Sequence, residues 1–194
     1  MIAGVDPRHA ASYDEKVDER IRAAVQAGKV HAIGSCGLNA ANSNDANRED
    51  SLVEEQAFRS QIKIAREFDL PLVVQAGGSH LRAHEILLEE AYPFDQVLVR
   101  AFDGSREDLQ RWVQAGCYVS FGGWSADDPL ALCRLVDNVP TDRVLVESGA
   151  PDQAIDLLSG YPSRCDQVVF VADAIISHVS AQQLAANAAA FYRL

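Results

Sequence analysis

The groups of this chain that can do chemistry are polar and charged residues standing where short apolar runs end. Ala32-Ile-Gly-Ser-Cys-Gly-Leu-Asn39 carries Ser35 between Gly34 and Gly37. Leu72-Val-Val-Gln75 ends on an amide, Gln96-Val-Leu-Val-Arg100 on a guanidinium, and Val144-Leu-Val-Glu147 on a carboxylate. Such runs predict strands of a parallel sheet, whose carboxyl ends carry the loops that meet a ligand. A carboxylate like Glu147 can act as a general base there. It can also pair with Arg100, or with Arg8 if that loop folds over, and pairing is the expected role. Arg8, Gln75 and Arg100 together can hold a small anion, because guanidinium groups grip carboxylates and phosphates through paired donors.

The histidines and tryptophans are weighed in the same way. His80 and His84 stand four apart on a predicted helix, a spacing at which two imidazoles can share a metal. No third ligand or base falls at a matching offset, so solvated helix residues are expected. His9, His31 and His178 read as ordinary loop, strand-start and surface residues. Trp124, in the loop after the fifth strand, is a candidate pocket wall, whereas Trp112 on an amphipathic helix is expected to pack.

These groups need elements to hold them. Met1 to Pro7 reads as a first strand stopped by proline, followed by a helix from Asp14 to Ala27 with Gly28 as its left-handed terminator. The second strand is Val30 to Ser35, and Asn39 to Asp50 is a polar loop. Ser51-Leu-Val-Glu54 reads as a capping box opening a long helix that Pro71 ends. Leu72 to Gln75 is the third strand, and Ser79 caps a helix to about Ala91. Gln96 to Arg100 is the fourth strand, Ser105 to Gly116 a helix, and Cys117 to Phe121 the fifth strand. A helix opened by Pro129 leads to the sixth strand, Arg143 to Glu147. From Pro151 the pattern is helical, with Ser180 capping the last helix to Leu194.

Alternating strands and helices, with the strands nearly all apolar, predict an α/β chain built on a parallel sheet and resembling a (β/α) barrel. A closed barrel has eight strands, and six are visible, so an incomplete or open barrel is expected over residues 1–194 as a single domain. Bare edges at Ile2 to Val5 and at Val144 to Val146 would favour pairing with another chain, and a homodimer is expected.

With 194 residues, 48% of them hydrophobic, the chain can bury a sizeable core. The net charge of -11 disfavours nucleic acid as a partner, since neutralising a phosphate backbone takes clustered lysine and arginine. Cys36, Cys117, Cys133 and Cys165 form no metal-binding pair and are expected to be reduced, mostly buried thiols of a cytoplasmic protein. No basic-then-apolar leader and no stretch of about 20 apolar residues is present, so no membrane association is expected.

Read together, five strand ends resemble the TatD-related metal-dependent hydrolases, the DNase-like branch of the amidohydrolase-type barrels. Ala32 to Asn39 is similar to A-I-G-E-x-G-L-D, and Leu70-Pro-Leu-Val-Val-Gln75 to L-P-V-V-I-H. Val99-Arg-Ala-Phe-Asp-Gly-Ser105 is similar to F-H-C-F-S-G-S, Tyr118-Val-Ser-Phe-Gly122 to Y-I-S-F-S-G, and Leu145 to Pro151 to L-L-E-T-D-A-P. Asn187-Ala188 matches part of a terminal E-N-A. The resemblance implies a metal-dependent hydrolase in which one Glu, two His and one Asp of these motifs hold divalent ions such as zinc, manganese or magnesium. Such ions generate a hydroxide and steady a phosphoryl oxygen.

At those four ligand positions this chain carries Ser35, Gln75, Arg100 and Gly149. Gly4-Val-Asp-Pro-Arg8 resembles G-x-H-P-H with both histidines replaced, by Asp6 and Arg8. The family's first two β/α units, with an H-x-H pair, are not seen; an in-frame H-x-H strand upstream of Met1 would restore the full barrel. A permanent cation where a dication should sit is opposed by Coulomb repulsion. The expectation is therefore a relative without cofactor or metal and without catalysis, serving in binding or as a scaffold. Asp6, Arg8, Ser35, Gln75, Arg100 and Gly149 form its degenerate site, and Arg8, Gln75, Arg100, Glu147 and Trp124 its possible ligand contacts. The alternative is an active phosphoester hydrolase with ligands recruited elsewhere or from a partner chain.

Overall fold

A computed structural model describes residues 1–39, 48–122, 128–151 and 164–194. The elements are β1 (Ile2–Ala3), α1 (Glu15–Gln26), β2 (Ala32–Gly37), α2 (Arg48–Glu67), β3 (Leu72–Gln75) and α3 (His80–Glu89). They continue as β4 (Val97–Val99), α4 (Arg106–Ala115), β5 (Tyr118–Phe121), α5 (Pro129–Val136), β6 (Val144–Val146), α6 (Val168–Ala174) and α7 (Ala181–Tyr192). Strand order follows chain order in a six-stranded sheet, β1 to β6. The expected parallel α/β fold is what forms. The backbone clusters into two compact units, Met1–Val99 with Arg193 and Arg100–Tyr192 with Leu194. No helix among the described residues is long and apolar enough to cross a membrane.

In the first unit β1, β2, β3 and β4 pair in parallel, and the β2–β3 register slips between Gly34 and Cys36. The slip makes Ser35 the extra residue of a bulge, a device that re-aims a side chain. Two glycines permit it. A Cβ on Gly34 would stand 2.4 Å from the Val73 carbonyl oxygen and one on Gly37 2.1 Å from that of Gln75, and both backbones have positive φ. The sequence ends this strand at Ser35; the strand continues through Gly37, whose missing side chain is what the close approach to β3 requires. The first strand is shorter than expected. Beyond Ala3 the Val5 N–H donates to Gln61 Oε1 at 2.7 Å and the Val5 carbonyl accepts from Gln61 Nε2 at 3.2 Å.

Helix α2 begins at Arg48, so Ser51 lies inside it and caps nothing. Glu54 is instead buried and accepts the Asn39 N–H at 3.0 Å. The polar loop expected to run to Asp50 is thus shortened, and its residues 40–47 lie outside those described. Helices α1 and α4 form where expected, α1 capped by Asp14, which accepts the Val17 N–H at 2.8 Å, and α4 by a Ser105–Asp108 capping box. Helix α3 ends at Glu89, before Ala91, and its start corrects another reading. His80 is buried, 2% exposed, not solvated, and the His84 ring stacks on Phe94 at 4.7 Å.

An ion-pair lattice ties α2 to α3. The Arg82 guanidinium binds Glu55 through two 2.8 Å bonds and also reaches Glu85 and Glu89, while Arg59 binds Glu89 and Glu90. The bonds from Arg82 hold the Glu55 carboxyl below its ordinary range. A carboxyl depressed on folding stabilises above its unfolded pKa of about 4.3, and that contribution is lost as pH falls through the lower folded value. Glu55→Gln should therefore lower Tm at neutral pH and make Tm fall less steeply on acidification below about pH 4, read by thermal unfolding across pH.

In the second unit β5 and β6 pair in parallel. The packed interior includes Phe102 against Phe121 and a fully buried Trp112, the packing role expected of that tryptophan. Ser180 caps α7 as read, its Oγ accepting the Gln183 N–H at 3.1 Å. Asn187 on α7 donates to the carbonyls of Thr141 at 2.7 Å and Val144 at 2.8 Å. The Glu147 N–H bonds the Phe121 carbonyl, so by alternation Val144 turns its carbonyl away from β5. Asn187 therefore covers a polar group of the outer edge of β6. Asn187→Ala would leave both carbonyls unmatched, with an expected cost of about 2 kcal/mol in urea unfolding.

Candidate functional site

In the first unit, Asp6 precedes a 3-10 turn, Pro7–Ser12, and accepts the Arg8 N–H at 3.0 Å and Arg8 Nε at 2.9 Å through one oxygen. The turn thus places the two residues that replace the family histidines as an ion pair with each other. Ser35 sits at the β2 bulge, and its Oγ is a buried polar atom without a hydrogen-bond partner. Gln75, half-buried, ends β3, and its carbonyl accepts the Leu38 N–H at 2.9 Å. Next to Ser35, the Cys36 thiol is pushed well above its ordinary range by burial, which makes it inert as a nucleophile.

In the second unit, Arg100 follows β4 and Glu147 follows β6. Arg100 Nη2 and Nε lie 2.7 and 3.1 Å from one Glu147 oxygen. The other oxygen accepts the Ala101 N–H at 2.7 Å and Ser120 Oγ at 2.5 Å. Of the two arginines available to Glu147, Arg100 is the one it takes, and both carboxylate oxygens are engaged. Ser120, buried on β5, was missed in the sequence, where a hydroxyl inside Tyr118-Val-Ser-Phe121 was the available signal. Gly149 has a positive φ of 70 and contributes no side chain. Trp124 lies outside the described residues.

These donors do not fit a divalent cation. Ser35 offers a neutral hydroxyl, Gln75 a neutral amide and Gly149 nothing, while Arg100 is a cation already bonded to the nearest carboxylate in its unit. Hard divalent ions need anionic or imidazole donors. No group of three or more His, Cys, Asp or Glu side chains among the described residues can hold a metal ion.

Parallel strands in chain order, alternating with helices, define the class of barrel-type α/β folds, and two solved structures share that fold. The crystal structure of the TatD homologue YJJV from Escherichia coli matches with a TM-score of 0.86 at 22% identity, over 100% of this chain and 76% of that one. A TatD-family hydrolase from Entamoeba histolytica matches with a TM-score of 0.80 at 18% identity, over 98% of this chain and 73% of that one. The family model described as TatD related DNase matches residues 1–193, and the chain belongs to that family.

Among curated relatives, the 3'-5' ssDNA/RNA exonuclease TatD of Pectobacterium carotovorum is 36% identical over 153 residues, 77% of this chain and 56% of that protein. The enzyme of the same name from Enterobacter lignolyticus is 32% identical over the same lengths. The chain thus spans 56% of the length of these relatives.

Proposed function

We propose that this TatD-family chain is catalytically silent, takes no divalent cofactor, and acts in binding or as a scaffold. The observation that carries the reading is Arg100. Where the resemblance implies a ligand histidine, a guanidinium is bonded to Glu147, whose second oxygen is held by Ser120 and Ala101. A carboxylate with four donors has no free lone pair to serve as a base. The test is metal analysis of protein loaded with manganese, cobalt or zinc, together with hydrolysis of single-stranded DNA and RNA. No stoichiometric metal and no turnover above the protein-free blank are expected. Metal-dependent turnover would overturn the reading in favour of an active phosphoester hydrolase with ligands recruited elsewhere.

The same proposal extends to partners. A net charge of -11 and arginines held by carboxylates, as Arg8 by Asp6 and Arg100 by Glu147, leave little to attract nucleic acid. A small anion at Arg8 or Arg100 must compete with those carboxylates; calorimetric titration with phosphate reads whether it does. Of the four free thiols Cys36 and Cys117 are buried, whereas Cys133 is half-buried and Cys165 exposed; a reducing cytosol is the compartment that keeps such thiols free. We propose self-association through β1; in support, Ile2 is 40% exposed on an edge strand. Light scattering should then report a dimer that Ile2→Lys converts to monomer.

A further inference from the structure

We propose that a groove between α4 and α5, within the second unit, docks an acidic, leucine-bearing peptide segment of a partner protein. The groove encloses about 590 Å³ and is lined by Arg106, Ala131, Arg134, Leu135, Asp137 and Asn138. Among the described residues no carboxylate answers the two guanidinium groups that line it. Elsewhere arginines such as Arg59, Arg82 and Arg111 hold carboxylates. Among the described residues neither Arg106 nor Arg134 has one within ion-pair distance.

Arg106 Nη2 donates to Asn138 Oδ1 at 3.1 Å, and Asn138 Nδ2 donates to the Arg134 carbonyl at 2.6 Å. Asn138 therefore positions one guanidinium against the end of α5 without neutralising it. The carboxylate of the groove, Asp137, lies 2.6 Å from His178 Nδ1, which draws it away from the arginines.

The walls say what kind of anion fits. Ala131 and Leu135 stand at i and i+4 on α5 beside Arg134 in the lining, and Leu130, 72% exposed, precedes them on the same helix outside the lining. An apolar strip flanked by two guanidinium groups matches a helix that alternates leucine with aspartate or glutamate, the helix-in-groove mode with arginine as the polar anchor. A nucleic-acid strand fits less well, since its phosphates continue past two arginines onto a protein carrying eleven more acidic than basic side chains. The inference stands apart from the strand-end site and survives whether or not that site is silent.

The probe is a fluorescein-labelled 14-residue helical peptide of leucine, glutamate and aspartate, titrated with the full chain and read by anisotropy. Saturable binding is expected, weakened at least tenfold by Arg106→Ala with Arg134→Ala and also by Leu130→Ser. All of these are surface changes whose folding is checked by circular dichroism. Binding should also weaken as salt is raised. Absence of saturable binding at millimolar protein, or equal affinity of the double variant, overturns the proposal. So does displacement of the peptide by equimolar pyrophosphate or a single-stranded oligonucleotide, which would define a general anion patch.

Discussion

Glu147→Ala is expected to destabilise the chain by about 2–4 kcal/mol, because one truncation orphans two groups at once. The Arg100 guanidinium and the buried Ser120 hydroxyl lose their acceptor, while the Ala101 N–H keeps only its longer 3.2 Å bond to Ser120 Oγ. The converse change is milder. Arg100→Met leaves Glu147 with two donors and fills the space with an apolar stem, at about 1–2 kcal/mol. Urea unfolding of both variants reads this asymmetry. If Arg100→Met costs as much as Glu147→Ala, the guanidinium is not simply the counter-ion of that carboxylate. Arg100→His is also expected to gain no stoichiometric zinc, since the other ligand positions that the family resemblance implies stay Ser35, Gln75 and Gly149.

Gly37→Ala is expected to cost about 3–5 kcal/mol and to abolish or sharply lower the cooperative thermal transition. Its new Cβ would meet the Gln75 carbonyl oxygen at 2.1 Å and the carbonyl carbon at 3.0 Å, both backbone atoms that cannot rotate away. Gly116→Ala is the control that separates clash from backbone strain. That glycine also has positive φ, 95, but nothing lies within 4 Å of its Cβ position, so only the conformational cost of about 1 kcal/mol applies. Similar losses for the two variants would mean that the close approach of β2 to β3 is not what Gly37 serves.

Much of this was readable from residue order, and the misreadings have physical reasons. Leu72–Gln75 was placed to the residue because Pro71 and the following Gly77-Gly78 bound an unbroken apolar run. Arg100 was one of two arginines expected to pair with Glu147, because a carboxylate at a strand end has few other cationic partners, and only the fold selects it. The bulge at Ser35 was not legible, since two flanking glycines fit a turn as well as a strand pressed against its neighbour. The start of α2 was misplaced because Ser51 and Glu54 have capping-box spacing. Only the fold reveals that Glu54 turns inward to Asn39. His80 was taken as solvated because its helix position alone does not say what packs over it.

The amide of Asn187 on the outer side of β6 has a consequence for assembly. One outward carbonyl of that border is already taken by α7, so a strand of another molecule pairing there would have to displace a side chain that is covalently part of the same subunit. Shortening the chain before Ala181 should therefore bare this carbonyl and increase aggregation, read by light scattering.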